Sequence, residues 1–230
     1  AAITGLEIDN CYICLDGPEV PIMDGSSKFF INSLEEAKIV EQNVLREEFF
    51  PSESITYECE DSGSKISIIP DENYKVNTIV DYKTKVLGEQ EASINHISEF
   101  KKEISSARTF SFLHELETLL ENGLIKGGDL NNAIVYVDKP LAESNMDILK
   151  KAFNKDSISV KANGILDNLD LHYPNEAARH KLLDVIGDLA LIGMKIRGKV
   201  IAEKPGHSIN AKFAEKVSEV IKSDRKNTLP

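Results

Sequence analysis

The longest predicted helix, residues 175–192, places the strongest constraint on the fold of this chain. Asn175 suits the N-cap position and Gly193 suits the position after the last turn, so one helix is expected between them. The second half of this helix is apolar almost all round, and helices of that kind are buried rather than at a surface. We therefore expect other elements to cover residues 175–192.

The composition is that of a globular protein and excludes several other classes. With 230 residues, 41% of them hydrophobic, the chain can form one large domain or two small ones around a core. It has no stretch of about 18 apolar residues that would span a membrane, and the recurrence of Leu, Ile, Val and Phe argues against disorder. The net charge of −11 disfavours a general nucleic-acid binder, and three cysteines indicate a reducing compartment rather than a disulfide framework.

The order of the elements predicts a layered fold. Beyond residue 52, residue patterns predict five strands in this order: 54–60, 65–69, 74–82, 133–137 and 198–202. Besides the long helix, this part of the chain is predicted to contain three further helices in this order: 97–106, 112–121 and 211–222. Short turns join the first three strands, which are expected to be antiparallel. Strands followed by helices, and then a strand and a helix, indicate an α+β fold with a sheet on one side and helices on the other.

The first part of the chain is predicted to contain a strand, a loop and a helix. Apolar residues predict a strand at 7–15, where alternation sends Cys11 and Cys14 to opposite faces and favours buried core thiols over a redox or metal pair. Two prolines and two glycines predict a rigid loop at 16–27. Ser33, followed three residues later by glutamate, has the spacing of a capping box and predicts the start of a short helix.

A charged, proline-containing stretch at 43–52 marks the predicted domain boundary. We expect residues 1–45 and 46–223 to form separate domains, with a polar tail or linker at 224–230. The first residues lack both an initiator methionine and the pattern of a signal peptide, and they are typical of the middle of a helix. The sequence is therefore expected to be a fragment.

Three polar residues on the long helix are the first candidates for chemistry. His180, Asp184 and Asp188 are spaced by four, so they share one face of a helix that is otherwise rich in Leu, Ile and Val. A buried carboxylate needs a partner, and a divalent metal held by a histidine nitrogen and a carboxylate oxygen would supply one. A His–Asp ion pair or a solvated face is the simpler explanation from spacing alone.

His207 and Thr109 are further candidates, each between predicted elements. His207 follows a strand, where a histidine that changes charge near neutral pH suits a general acid or an oxyanion stabiliser. Thr109 lies between two predicted helices, where its hydroxyl could donate to a developing oxyanion. The alternatives from the residues alone are a surface histidine near a helix start and a threonine N-cap.

Five segments together resemble one known family, in the same order along the chain. They are DGPEVPIMDGS (16–26), SSARTFSF (105–112), NGLIKGGDLNNAIV (122–135), RHKLLDVIGDLALIG (179–193) and AEKPGHSIN (202–210). The chain is similar to the UDP-3-O-acyl-N-acetylglucosamine deacetylases, the zinc amidases that commit Gram-negative bacteria to lipid A. The resemblance implies two similar two-layer α/β sandwich domains with the active site between them, the first domain being present only as its C-terminal part.

The resemblance also implies roles for individual residues. His180 and Asp184 match zinc ligands. His207 matches the catalytic histidine, which Asp188 orients, and Thr109 matches the threonine that contacts the oxyanion. Two lysines match basic residues near the nucleotide diphosphate, and four residues lie in the segment that forms the apolar passage for the acyl chain: Lys181 and Lys204, and Leu116, Ile125, Gly128 and Val135.

The family's cofactor, partners and location are expected here as well. The cofactor is zinc, and the substrate is a UDP-linked amino sugar that carries a hydroxyacyl chain. Such a protein acts in the cytoplasm, binds no nucleic acid and touches the inner membrane at most peripherally. In some bacteria the family is fused to a hydroxyacyl-carrier-protein dehydratase domain, which would follow residue 230 here.

One part of the family's site is expected to lie outside this sequence. The third zinc ligand of the family is a histidine preceded by a glutamate, the general base, in a short helix directly upstream of the segment that resembles residues 1–10. Three hypotheses result: a zinc hydrolase as the full gene product, a non-catalytic fragment that keeps the nucleotide and acyl-chain surfaces, and a protein-interaction module with His180 and Asp184 as a structural ion pair.

Overall fold

A computed structural model of the chain describes residues 1–115, 132–139, 150 and 156–227. The helices are α1 (Ala2–Gly5), α2 (Lys28–Glu36), α3 (Phe100–Glu103), α4 (Glu176–Leu189) and α5 (His207–Asn227). The strands are β1 (Glu48–Phe49), β2 (Ile55–Cys59), β3 (Ser64–Ile69), β4 (Tyr74–Asp81), β5 (Glu89–Ile94), β6 (Phe110–Phe112), β7 (Ile134–Tyr136), β8 (Lys195–Ile196) and β9 (Gly198–Glu203). Most of the predicted helix at 112–121 lies outside the described residues.

Five strands form the main sheet, in the order β2-β3-β9-β4-β5. Strand β9 lies at the centre, antiparallel to β3 and parallel to β4. The strands predicted at 54–60, 65–69, 74–82 and 198–202 are confirmed. β3 and β4 run in opposite directions but do not pair with each other, because β9 inserts between them. Turn residues show only that the chain reverses, and strands that follow each other in sequence are neighbours roughly two-thirds of the time.

Helices α4 and α5 pack against the sheet and against each other. α4 contacts β4 and β5, whereas α5 contacts β2 and β3, and α1 also contacts α4. Fully buried side chains of both helices enter the main core: Leu182, Val185, Ile186, Phe213 and Val217. The predicted α+β fold is therefore confirmed, and α4 is buried as its apolar second half indicates. Its last turn continues as a 3₁₀ turn, Ala190–Ile192, and ends at Gly193 in the left-handed region.

Two short parallel strand pairs join distant parts of the chain. β1 pairs with β8, and β6 pairs with β7, the buried strand predicted at 133–137. Four aromatic rings pack against one another beside the β6–β7 pair, with centroid separations of 5.4 to 6.5 Å: Tyr82, Phe110, Phe112 and Tyr136. These rings are part of a second, smaller hydrophobic core or pack against it.

The strand predicted at 7–15 is not present, and this prediction is wrong. The segment has no regular secondary structure, and Cys11 and Cys14 are exposed rather than buried. A strand needs a neighbour for its backbone hydrogen bonds, and none of the described strands pairs with this segment. An alternating apolar pattern indicates that a segment suits the pleated surface of a sheet, but it does not show that a neighbouring strand is available for pairing.

Two helices begin earlier than predicted. α2 runs from Lys28 to Glu36, so Ser33 lies inside the helix and the capping-box prediction is wrong. The start is held instead by Asp24, which accepts from the Ser26 N–H, and by Ser26, whose hydroxyl accepts from the Lys28 N–H. Helix α5 begins at His207 and extends to Asn227, beyond the predicted 211–222. None of the described helices is both long and apolar enough to cross a bilayer. The division into domains at 1–45 and 46–223 stays a prediction.

Candidate functional site

Helix α4 carries four ionisable residues on one face, at intervals of four: Glu176, His180, Asp184 and Asp188. We call this set the polar stripe. Glu176, His180 and Asp184 are buried, and Asp188 is half-buried. Buried ionisable groups are costly unless they have hydrogen-bonding or charged partners, so the contacts of the stripe define what this face can do.

His180 and Asp184 face each other as two acceptors. The Nδ1 atom of His180 lies 3.1 Å from the carbonyl oxygen of Ala107, and a carbonyl only accepts, so Nδ1 carries a proton and donates. Burial lowers the pKa of the His180 ring, which the Asp184 carboxylate raises only in part, so the ring is neutral at neutral pH. Nε2 is then an acceptor that lies 3.5 Å from Asp184 Oδ1. Two facing acceptors attract a shared cation.

Lys181 contacts the second oxygen of Asp184. Its Nζ lies 2.9 Å from Asp184 Oδ2 and 5.5 Å from the ring centroid of Phe110. Burial lowers the pKa of the Lys181 ammonium, but the Asp184 carboxylate outweighs this effect and the pKa lies above its ordinary value. Lys181 is therefore a permanent cation beside the stripe.

Asp188 anchors His207 at the other end of the stripe. Asp188 Oδ2 accepts from His207 Nδ1 at 2.9 Å and from Asn210 Nδ2 at 2.8 Å. The His207 side chain is 72% exposed, whereas Asn210, one turn further along α5, is fully buried. The ring is thus held through Nδ1, which leaves Nε2 to meet a ligand. This arrangement suits a general acid or an oxyanion donor.

Thr109 lies two residues beyond Ala107, directly before β6. Its N–H donates to the Gly25 carbonyl and its carbonyl accepts from the Ile134 N–H, both at 2.9 Å. The N-cap alternative for Thr109 is wrong, because a strand and not a helix follows it. The backbone at Thr109 is therefore fixed from two sides, by the loop at 16–27 and by β7.

Gly25, which holds Thr109 from the loop, provides a test of this packing. Its φ is +78°, and a Cβ there would lie 2.1 Å from the Asn132 carbonyl oxygen and 2.8 Å from Thr109 Cγ2. Gly63 has a similar φ of +63° but nothing within 4 Å of its Cβ position, so it controls for backbone strain. Gly25→Ala is expected to lower the free energy of unfolding by about 1–3 kcal/mol more than Gly63→Ala, as measured by urea denaturation. Equal losses would show that the loop does not pack on Thr109.

Lys204 and Val135 contact residues of strands β4 and β6. Lys204 follows β9, and its Nζ is 4.0 Å from Asp81 Oδ2. Val135 is fully buried on β7, paired with Ser111 of β6. Of the site residues predicted from the sequence, five come together along α4 and the start of α5: His180, Lys181, Asp184, Asp188 and His207. Three more lie outside the described residues: Leu116, Ile125 and Gly128.

Three residues that contact the polar stripe or belong to it were not predicted as site residues from the sequence: Arg108, Glu176 and Asn210. Glu176 lies four residues before His180, so the spacing that identifies the stripe also contains this glutamate. Asn210 follows His207 by three residues, which is one turn of the same helix. Arg108 has no comparable signal, because its partner Glu176 is 68 residues away in sequence.

The backbone nitrogen of Ala1 lies against α4, near the end of the polar stripe that carries Asp188. A Cβ placed on Gly187 would lie 3.1 Å from this nitrogen. The first residue of the chain therefore packs against α4 next to Asp188.

His180 and Asp184 together fit a metal ion as two ligands. The N–H of His180 Nδ1 donates to a backbone carbonyl, which is the outer contact that metal-binding histidines usually make. No three His, Cys, Asp or Glu side chains are clustered as a metal site within residues 1–115, 132–139 and 156–227. The donor set suits zinc in its chemistry, with one protein ligand fewer than the three of most catalytic zinc sites.

One protein family matches most of the chain. The model of the UDP-3-O-acyl N-acetylglycosamine deacetylase family matches residues 1–153 and 141–219. Two curated relatives carry the name "Bifunctional enzyme LpxC/FabZ": that of Porphyromonas gingivalis is 43% identical over 224 residues, and that of Bacteroides thetaiotaomicron is 41% identical over 222 residues. The alignments cover 97% and 96% of this chain and 48% of each relative.

A relative that is named for the deacetylase alone gives the same result. The UDP-3-O-acyl-N-acetylglucosamine deacetylase of Syntrophotalea carbinolica is 35% identical over 218 residues, which are 94% of this chain and 62% of that protein. The chain spans about half the length of the bifunctional relatives it matches. The resemblance predicted from the five sequence segments is confirmed, and the chain belongs to the UDP-3-O-acyl N-acetylglycosamine deacetylase family.

Proposed function

We propose that this chain is part of a zinc-dependent amidase that removes the N-acetyl group from UDP-3-O-(hydroxyacyl)-N-acetylglucosamine, the committing step of lipid A biosynthesis. The observation that carries the proposal is the pair of facing acceptors, His180 Nε2 and Asp184 Oδ1, which lie 3.5 Å apart on a buried helix face. The name of the Syntrophotalea relative supports the substrate and the reaction.

His180 and Asp184 would hold the zinc. When bound, zinc polarises an acyl carbonyl and lowers the pKa of a coordinated water to about 7. The Ala107 carbonyl contributes by keeping the proton of His180 on Nδ1, so that Nε2 presents its lone pair. Lys181 would balance the charge of Asp184, since one oxygen of that carboxylate already accepts its ammonium.

His207 and Thr109 would act on the oxygen and the nitrogen of the amide. Negative charge develops on the carbonyl oxygen during hydrolysis, and the Thr109 hydroxyl and a cationic His207 would stabilise it. Asp188 keeps the His207 ring in place through Nδ1, so Nε2 would donate a proton to the leaving amine. The products are acetate and a UDP-linked sugar with a free 2-amino group.

The base that receives the proton of the attacking water, and a third zinc ligand, would come from the family's Glu-His pair. In the family this pair lies directly upstream of the segment that resembles residues 1–10. The position of Ala1 supports this placement, because its backbone nitrogen lies against Gly187 of α4, next in sequence to Asp188. The three protein ligands would then match those of most catalytic zinc sites.

Substrate binding would use charges and apolar surface near the stripe. Lys181 and Lys204 are the cations proposed to contact the nucleotide diphosphate. Val135, with three residues of the same family segment, would border the passage for the acyl chain: Leu116, Ile125 and Gly128. The names of the bifunctional relatives support a dehydratase domain fused downstream in some members of the family. We place the activity in the cytoplasm, with at most peripheral contact with the inner membrane.

A second candidate function is that of a non-catalytic fragment, which keeps the nucleotide and acyl-chain surfaces without turnover. The observation in its favour is that only two ligands meet at the stripe among the described residues.

Measuring zinc per chain and acetate release separates these functions, with this chain compared against the full product of its gene. Zinc near one per chain and acetate release that a chelator abolishes and zinc restores are expected for the full product. Zinc and turnover in the full product but no turnover in this chain would identify the chain as a non-catalytic fragment. A full product that takes up no zinc would overturn the hydrolase proposal.

A further inference from the structure

A buried ion pair joins the first turn of α4 to the segment that carries Thr109. Arg108 and Glu176 are 5% and 0% exposed. The backbone N–H and the Nε of Arg108 donate to Glu176 Oε1, at 3.1 and 2.9 Å, and Nη2 donates to Oε2 at 3.2 Å. The His172 N–H donates to the same Oε2 at 2.6 Å, and Arg108 Nη2 also donates to the Asp170 carbonyl at 2.5 Å.

Stability alone does not account for such a pair. A buried ion pair can often be replaced by apolar residues without loss of stability, because removing two charges from water is costly. A guanidinium fixes the relative orientation of the groups that it joins, because its donors lie in one rigid plane. The Glu176 carboxylate accepts hydrogen bonds both from this planar group and from the backbone N–H of the same arginine. The orientation of the chain at Arg108 is therefore fixed relative to α4.

Arg108 lies between two residues of the proposed site. On one side the Ala107 carbonyl accepts from His180 Nδ1 at 3.1 Å, and on the other side Thr109 is proposed to contact the oxyanion. Glu176 and His180 are one helical turn apart on the same face of α4. The contact between Arg108 and Glu176 therefore fixes the position of the Ala107 carbonyl relative to the His180 ring.

We infer that Arg108 and Glu176 are positioning residues of this site. By fixing the Ala107 carbonyl they select the His180 tautomer that carries its proton on Nδ1, and they leave Nε2 available to a metal ion. The effect of this tautomer on zinc binding rests on the proposed function, whereas the preference for the tautomer does not. Neither residue needs to touch the substrate.

The variant Glu176→Gln tests the inference with little change in size. Its amide group places an NH₂ where one carboxylate oxygen now accepts, so a pair of N–H donors loses its acceptor. Glu103→Gln is the matched control. It removes the negative charge beside Arg179, whose Nη1 lies 3.2 Å from Glu103 Oε2. This ion pair also joins α4 to the preceding part of the chain, but through a residue outside the polar stripe.

Nitrogen-15 NMR of the histidine rings, in the full metal-free chain at neutral pH, distinguishes protonated from unprotonated ring nitrogens. The His180 signals are assigned by their loss in His180→Gln. Wild type and Glu103→Gln are expected to show His180 with the proton on Nδ1 only, and Glu176→Gln is expected to show a mixture that includes the Nε2 tautomer. In the full gene product, the Kd for zinc should rise by about 10–100-fold in Glu176→Gln and stay unchanged in Glu103→Gln.

A folded Glu176→Gln protein that keeps the wild-type tautomer and zinc affinity would overturn the inference. If this variant does not fold, Arg108→Lys takes its place, because lysine keeps the charge and the backbone N–H but loses the planar set of donors. The His180 tautomer and the Kd for zinc of that variant then decide whether the inference holds. A full gene product that binds no zinc would count against the proposed function, and the tautomer in this chain would still decide whether Arg108 and Glu176 position His180.

Discussion

Replacing His207 with alanine is expected to lower kcat of the full gene product by about 10²–10⁴-fold, the range typical of a lost general acid or base. The zinc content should not change, because His207 is held by Asp188 and lies outside the pair formed by His180 and Asp184. KM should change little, since the proposed contacts of His207 form with charge that develops during the reaction and not with the bound substrate. Steady-state acetate release and metal analysis on the same samples measure both quantities.

His96→Ala is the matched control for this variant. His96 is also exposed and hydrogen-bonded next to a helix start, through Ser98, but it is far in sequence from the polar stripe and its partners. Turnover of His96→Ala should equal that of wild type. Wild-type turnover in His207→Ala would show that His207 has no catalytic role, whereas loss of zinc along with turnover would show that His207 is a ligand.

Asp188→Asn extends the same prediction to the residue that orients the ring. Asp188 Oδ2 accepts from two donors, His207 Nδ1 and Asn210 Nδ2, and the carboxylate places a negative charge next to the ring. The neutral amide removes that charge, so kcat is expected to fall while the fold is kept. The loss should not add to that of His207→Ala in the double variant, because the two residues act as one unit.

The parts of the fold that follow from local pattern could be predicted, and those that depend on distant partners could not. Helix α4 was predictable because its length, its ends at Asn175 and Gly193 and its apolar second half all lie within one segment. The insertion of β9 between β3 and β4 was not, because β9 comes more than a hundred residues later and no turn signal encodes it. The segment at 7–15 shows the same limit, since its apolar alternation has no strand to pair with among the described residues.

The candidate site divides in the same way. An interval of four places His180, Asp184 and Asp188 on one face, and the structure brings them together with their neighbours as that interval requires. The same interval includes Glu176, whose importance became visible only through Arg108, a partner 68 residues away. Spacing within one helix therefore identifies which side chains share a face. It does not identify the groups that approach that face, such as the Ala107 carbonyl and Arg108.

Zinc at about 100 times its Kd is expected to raise the free energy of unfolding of this chain by about 2.7 kcal/mol, because a ligand that binds only the folded state stabilises it by mass action. His180→Gln and Asp184→Asn should each abolish most of this increase, since each removes one of the two facing acceptors. Urea denaturation with zinc and with a chelator measures the increase for each variant separately. Any intrinsic loss of stability, such as that from freeing Lys181, then cancels.

His114→Gln is the control for this experiment, because His114 and Asp138 form another His–Asp contact, with Nδ1 2.9 Å from Oδ1. The zinc-dependent increase should survive this change, since His114 is 40% exposed and its contact does not present two buried acceptors. An increase lost in His114→Gln and kept in Asp184→Asn would place the metal elsewhere and remove the main support for a zinc amidase. The measurement needs no substrate and no turnover, so it tests the ligands of this chain directly, whichever residues complete the site in the full protein.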